Sequence, residues 1–260
     1  MDNIDTVLIT GASSGIGLEL ARIFASHKHN LILVSRNAHK LKELAYELEE
    51  KHESKVHIIS HDLSKPEAAK QIFHKVMELG VQVDILINNA GGGYVGFFHE
   101  TDAHKDLEIM QVNMIALTEM TKLFSREMIK RRKGSILNVA STGAFSPGPF
   151  TAVYYASKAY VLSLSEALRI ELRQYNINVT TLCPGATRTN FAKNAGKKDM
   201  PNAMDAKAVA KAAYNGLINN KKIVVPGVEN KILIKLPKKL VSEINFRNQK
   251  RLSLNAYERK

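Results

Sequence analysis

Apolar and polar positions along this chain come in alternating blocks. Thr6-Val7-Leu8-Ile9-Thr10 is a short, β-branched apolar run and reads as a buried strand. Leu31 to Val34, Val56 to Ser60, Val83 to Ile87, Ser135 to Val139 and Ile177 to Leu182 read the same way, and Lys222 to Val225 adds a short closing strand. Between these runs apolar residues recur at helical spacing. Ile16, Leu20, Ile23 and Phe24 predict a helix directly after the first strand. A charged helix is predicted over 38–51, and another from about Pro66, a favoured first-turn residue, to Leu79. A long helix spans His104 to Arg132 and stops at Gly134; later helices carry Tyr154 and cover 205–219. Strands apolar on both faces, alternating with amphipathic helices, predict an α/β fold with a parallel sheet covered on both sides.

Composition adds few constraints. One cysteine, Cys183, excludes an intrachain disulfide and a cysteine zinc cluster and suits a reducing, cytoplasmic setting. The polar start Met1-Asp2-Asn3-Ile4-Asp5 predicts no signal peptide, and no apolar run approaches the ~20 residues that span a bilayer. The net charge of +12 is uneven: from Ala186 onward there are 17 basic and 5 acidic residues, so the chain before it is neutral. Such a basic third attracts anions or forms a lysine-rich solvated surface. Without interleaved aromatic platforms or a binding motif, no nucleic-acid partner is expected.

Two local patterns carry chemistry. Thr10-Gly11-Ala12-Ser13-Ser14-Gly15-Ile16-Gly17 lies between a strand and a helix. Glycines there let backbone approach a pyrophosphate, and the helix start offers free N–H donors and a positive dipole end. The second pattern is Tyr154-Tyr155-Ala156-Ser157-Lys158. Tyr154 and Lys158, four apart, share one helix face. An ammonium there favours the phenolate and lowers its pKa, which makes a general acid/base. Tyr155, at i,i+3, is also within reach of Lys158, and spacing alone leaves the two tyrosines unresolved. Ser141 follows a strand but lacks a Gly-x-Ser-x-Gly elbow, and the nine histidines show no metal-ligand spacing.

The ordered set Thr10-Gly-x-x-x-Gly-x-Gly17, Asp62, Asn88-Asn-Ala-Gly91, Asn113, Ser141, Tyr154-x-x-x-Lys158 and Pro184-Gly185 resembles the short-chain dehydrogenase/reductase family. The resemblance implies a single Rossmann-type, doubly wound domain over 1–260, with a cofactor and catalytic core at 1–185 and a lid at 186–204. It implies hydride transfer between a nicotinamide and a carbonyl or alcohol. Asn113, Ser141, Tyr154 and Lys158 become the catalytic tetrad, with Tyr154 as the acid/base and Tyr155 in a packing role. Ser141 positions the substrate oxygen, with Thr142 its local competitor. Asn113 either holds a water that links Lys158 to solvent or simply bonds backbone.

The implied cofactor contacts are Gly11, Ser13, Ser14, Gly15, Ile16 and Gly17 at the phosphates and Asn89, Ala90 and Gly91 at the ribose. Tyr154 and Lys158 serve the nicotinamide ribose, and Pro184, Gly185, Thr187 and Thr189 the nicotinamide end. Asp62 and Leu63 serve the adenine, although Asp62 could equally cap the helix after it. The second strand ends in Ser35-Arg36-Asn37, with no acid to accept a ribose hydroxyl. Arg36 can pair with a 2′-phosphate, so NADP(H) is expected over NAD(H).

The expected substrate is a lipophilic ketone or aldehyde, such as a steroid, fatty acyl or xenobiotic carbonyl. The aromatic loop 144–150 and Phe191 suggest that pocket. A 3-oxoacyl thioester and a non-catalytic cofactor sensor are the alternatives. A homodimer or homotetramer is expected. The tail Lys231 to Lys260 mixes apolar and basic residues and is similar to tails of lipid- and steroid-related family members. It covers the pocket or packs in an oligomer, ahead of resting on an anionic membrane surface. Pro237 rules out one straight helix.

Overall fold

A computed structural model describes residues 4–191 and 203–257, without the side chains of 248 and 251–257. Most of the segment read as a lid, 192–202, and the last three residues lie outside the described residues. Strands β1 (Thr6–Thr10), β2 (Asn30–Ser35), β3 (Val56–Ser60), β4 (Ile85–Asn88), β5 (Gly134–Val139), β6 (Ile177–Leu182) and β7 (Ile223–Val224) form a parallel sheet in the order β3-β2-β1-β4-β5-β6-β7. The expected seven-stranded, doubly wound Rossmann-type sheet is therefore present.

Period-two alternation explains why β1 is buried throughout and apolar at its centre. Val7 and Ile9 face a core with α1 (Gly15–Ser26), α2 (Ala38–Lys51) and α7 (Ala206–Ile218). Leu8 points the other way, into a core with α3 (Ala68–Glu78) and α5 (Leu117–Arg131). The remaining helices are α4 (Ala103–Met110), α6 (Ala152–Leu172), α8 (Val228–Leu233) and α9 (Lys238–Tyr257). Strand order reverses between β1 and β4, and crevices at such switch points hold ligands beyond the carboxyl ends of the strands. Among the described residues no helix is long and apolar enough to cross a membrane.

Three elements differ from their sequence expectation; the first is β4, which begins at Ile85 and not Val83. Helix α3 starts at Ala68, not Pro66, because Glu67 adopts a left-handed backbone at φ 60°. The expected long helix from His104 to Arg132 is interrupted by a π-helical turn, Gln111–Ala116, with Asn113 inside it. Such a turn accommodates one extra residue and frees backbone groups. The tail agrees with its expectation: it is not one straight helix but two, with α9 beginning directly after Pro237.

Candidate active site

Every loop named in the sequence lies at the carboxyl edge of the sheet, and β1 centres them. The Thr10 hydroxyl accepts the N–H groups of Asn89 and Ala90, both at 3.0 Å. The Asn89 side-chain amide donates to the carbonyls of Thr10 and Gly11 at 2.9 and 3.2 Å. These bonds lock the glycine loop to the end of β4. They also require Gly17: a β-carbon there would lie 2.4 Å from both the Gly11 carbonyl oxygen and the Asn89 amide nitrogen. Asn88, one residue earlier, bonds Thr121 and Asn138 and so ties β4 to α5 and β5.

The start of α1 suits an anion. Ser14 is extended and its side chain caps nothing, and the first turn has no acidic residue. The first N–H groups of α1 therefore have no side-chain acceptor, and Ser13, Ser14 and Ile16 flank them. Gly15 is left-handed at φ 58°, and a β-carbon there would lie 2.8 Å from the Thr189 methyl. Thr189 thus closes over the glycine loop. Thr187 bonds back to the Gly185 carbonyl at 3.0 Å. Pro184 is tied to the Ser141 side of the site, since its carbonyl accepts the Thr142 N–H. These residues fit a dinucleotide pyrophosphate and its nicotinamide end.

At the far end, Asp62 accepts the Ser64 N–H at 3.0 Å, a local turn; it does not cap α3 as the alternative reading expected, because the left-handed Glu67 is the residue that precedes that helix. Burial raises the Asp62 carboxyl, but the bonds from Ser64 and the nearby Arg36 charge outweigh it and hold the group below its usual value. Arg36 is exposed, and Leu63 is buried behind Asp62. Ser141, by contrast, follows β5, three strands from β2, or roughly 15 Å at ordinary strand spacing. The structure therefore separates Arg36, Asp62 and Leu63 from the catalytic candidates along one edge.

Asn113, Ser141, Tyr154 and Lys158 form one cluster. Asn113 is fully buried in the π-turn. Its amide donates to the Gly92 carbonyl at 3.0 Å and the Ser157 hydroxyl at 2.9 Å, and its oxygen accepts the Gly92 N–H at 2.9 Å. The side chain thus bonds backbone, as the plainer of the two readings expects, while the turn supplies the kink. Lys158 is 4 % exposed, and its ammonium donates to the Val139 carbonyl at 2.8 Å. Gly91 admits it: a β-carbon there would lie 3.3 Å from the ammonium and 3.2 Å from the Asn113 oxygen. Ser141 Oγ accepts the Gly143 N–H at 3.0 Å, which leaves its own hydrogen to donate.

The expected lowering of the Tyr154 phenol by Lys158 does not occur. Burial pushes the phenol up to about 12, against a smaller downward pull from the Ser141 hydroxyl. The ammonium stands 5.8 Å from the Tyr154 ring centre and is committed to Val139. Partial solvent access to the side chain as a whole tempers that upward push. Lys158 itself is drawn down to about 8 by burial, slightly offset by Cys183.

Sequence reasoning named Phe191 and the loop that holds Phe150, but missed Phe97 and Phe246. The Tyr154 ring lies 5.5 Å from Phe191 and 5.9 Å from Tyr155, and a β-carbon on Gly93 would strike it at 2.8 Å. Phe97, Phe150 and Phe246 form a second group, contributed by three distant segments. Asn230 of α8 also went unnoticed, although it fills the space over Gly185. No local pattern marks Phe97, Phe246 or Asn230.

A Rossmann-type sheet with a dinucleotide cradle and a buried Tyr–Lys pair defines a class of nicotinamide-binding proteins. Within that class, this chain belongs to the short chain dehydrogenase family, whose model matches residues 5–200. It is 36 % identical over 194 residues to dehydrogenase/reductase SDR family member 7B of Xenopus laevis, covering 73 % of this chain and 60 % of that protein. The chain thus spans less than two thirds of the length of such curated relatives. A short-chain dehydrogenase from Sphingobium yanoikuyae in complex with NADPH superposes with a TM-score of 0.83 at 33 % identity, covering 86 % of this chain and 89 % of the other. The bulky-bulky ketone specific alcohol dehydrogenase from Comamonas testosteroni superposes with a TM-score of 0.80 at 30 % identity, covering 96 % and 94 %.

Proposed function

We propose that this protein is an NADP(H)-dependent oxidoreductase that interconverts a bulky, lipophilic ketone or aldehyde and its alcohol. The observation that carries this reading is the convergence of Asn113, Ser141, Tyr154 and Lys158 beside an uncapped glycine-loop helix start. When bound, the nicotinamide supplies or accepts the hydride. Tyr154 gives its proton to the substrate oxygen; burial keeps the phenol protonated at neutral pH, the form that reduction needs. Ser141 donates to the same oxygen and fixes its position. Lys158 would hold the nicotinamide ribose when it is bound and returns a proton to Tyr154, and Asn113 clamps the β4 loop onto α6 so that both stay in register. The retained acid/base pair argues against a pure cofactor sensor.

The half-buried Phe97, Phe150 and Phe191 support an apolar substrate, as does the bulky-ketone specificity of the Comamonas testosteroni enzyme. A carbonyl screen that follows NADPH oxidation tests the reading, with steroid ketones, aryl ketones and 3-oxoacyl thioesters as separate arms. Turnover of thioesters alone would replace the ketone assignment, and no turnover in any arm would overturn the oxidoreductase reading.

NADP(H) preference rests on Arg36, exposed at the end of β2 beside Asp62. Losing a charge-assisted pair of this kind costs about 1.5–3 kcal/mol. Arg36→Ala should therefore weaken NADPH binding about tenfold or more and leave NADH binding within about twofold, as read by fluorescence titration. Equal losses for both cofactors would remove Arg36 from this role.

A further inference from the structure

The loop after β6 meets the nicotinamide end of the proposed cofactor site through Pro184 and Gly185. Its later part is held by backbone bonds. The Met204 N–H donates to the Ala186 carbonyl at 2.8 Å, and the Arg188 N–H to the Met204 carbonyl at 2.9 Å. Gly185 is held differently, by a side chain from outside the loop. A β-carbon on Gly185 would lie 2.2 Å from Asn230 Oδ1 and 2.6 Å from its Cγ and Nδ2. One side-chain amide therefore occupies the place of a side chain at 185, a space that only glycine leaves. On its other side Gly185 is half-buried and Ala186 is exposed, so this stretch of backbone is open to a ligand.

Asn230 belongs to α8, which follows β7, and its amide is fixed from behind. Nδ2 donates to the Pro226 carbonyl at 2.7 Å and lies 3.5 Å from Met204 Sδ. Gly227, left-handed at φ 84°, makes room for it: a β-carbon there would lie 3.2 Å from the same Nδ2. The two strands that carry these segments are joined beside it, since the Cys183 N–H donates to the Val224 carbonyl at 2.8 Å. A planar amide with its donor already taken is a stiff spacer between the end of β7 and Gly185. Four strands, or roughly 19 Å, separate β6 from β2, so a disturbance at Gly185 stays far from Arg36.

We infer that Asn230 is a positioning residue for the nicotinamide end of the cofactor. It touches no reacting atom. It sets the depth of the Gly185 backbone that receives that end, and it leaves the adenosine end alone. This role rests on the dinucleotide reading above.

The test titrates the full chain by calorimetry with NADPH and with 2′,5′-ADP, which carries the adenosine end and no nicotinamide. Asn230→Ala removes the backing amide and its bond to Pro226. It is expected to weaken NADPH about three- to tenfold, the range for one lost hydrogen bond, and to leave 2′,5′-ADP within about twofold. Unchanged 2′,5′-ADP binding also shows that the variant is folded. Gly185→Ala drives a methyl into the amide and should weaken NADPH at least as much. In the double variant that methyl enters the space that Asn230→Ala empties, so NADPH should bind no worse than to Asn230→Ala alone. NADH and AMP replace the two ligands if wild type binds NADH tighter. Losses that are equal for dinucleotide and half-ligand, absent for both, or additive in the double variant overturn the role of Asn230 and leave the dinucleotide reading intact. A wild type that binds none of these ligands overturns that reading, and the role falls with it.

Discussion

Tyr154→Phe is expected to lower kcat by about 10²–10⁴-fold, the usual contribution of a positioned acid/base, while NADPH binds within about twofold of wild type. The substitution removes one oxygen and keeps the ring, so the contacts with Phe191 and Tyr155 survive. The loss belongs to kcat because the hydroxyl acts on the oxygen that gains a proton in the transition state. Tyr155→Phe is the matched control. Its phenol, pushed up by burial, points to Gln249 of α9, and its ring packs over Gly143 and Gly148. That variant should retain most of its turnover. If the two variants lost activity equally, the acid/base role would not belong to Tyr154.

Lys158→Met should also remove turnover, by at least about a hundredfold. It should make the protein relatively more stable at neutral pH than at high pH. The lysine's pKa falls from 10.5 when unfolded to about 8 when folded. Between those values the unfolded chain binds more protons than the folded one, so wild-type stability rises with pH. The penalty for the buried ammonium is fully present below about pH 8 and vanishes above 10.5. At 1.36 kcal/mol per unit it amounts to about 3 kcal/mol. The methionine variant carries no such penalty. The stability difference between variant and wild type should therefore shift by that order between pH 7 and pH 10.5, as read by urea unfolding. The Val139 carbonyl loses its donor at every pH, so that cost cancels from the shift. A difference independent of pH would mean that the ammonium is not desolvated. An active site that sacrifices stability for a buried charge is a common trade-off.

Much of this molecule was legible in the chain. The bounds of β1, β3 and β6 match the runs read from the chain, because short β-branched and apolar runs set a strand's extent locally. The glycine loop was equally plain, since strand, glycines and helix are contiguous and impose their geometry locally. Asn113 announced itself as a polar residue in an apolar helical stretch, and the π-turn lies there.

What the chain did not disclose depends on groups meeting across long sequence separations. The Tyr–Lys spacing suggested an ammonium acting on a phenol. In the fold, the Val139 carbonyl, 19 residues away in sequence, takes the ammonium, and burial raises the phenol instead. Periodicity records which face of a helix is apolar, but desolvation depends on everything packed around it. The basic, apolar tail read as pocket cover or oligomer interface, ahead of membrane contact, with no local signal to choose its seat. Its actual seat on the 146–150 loop is set by Phe246 meeting Phe150 and Asn245 reaching Pro147, across 96 and 98 positions. Short-range pattern thus dictated the strands, the loops and the candidate reacting groups. Long-range packing set their protonation and their surroundings.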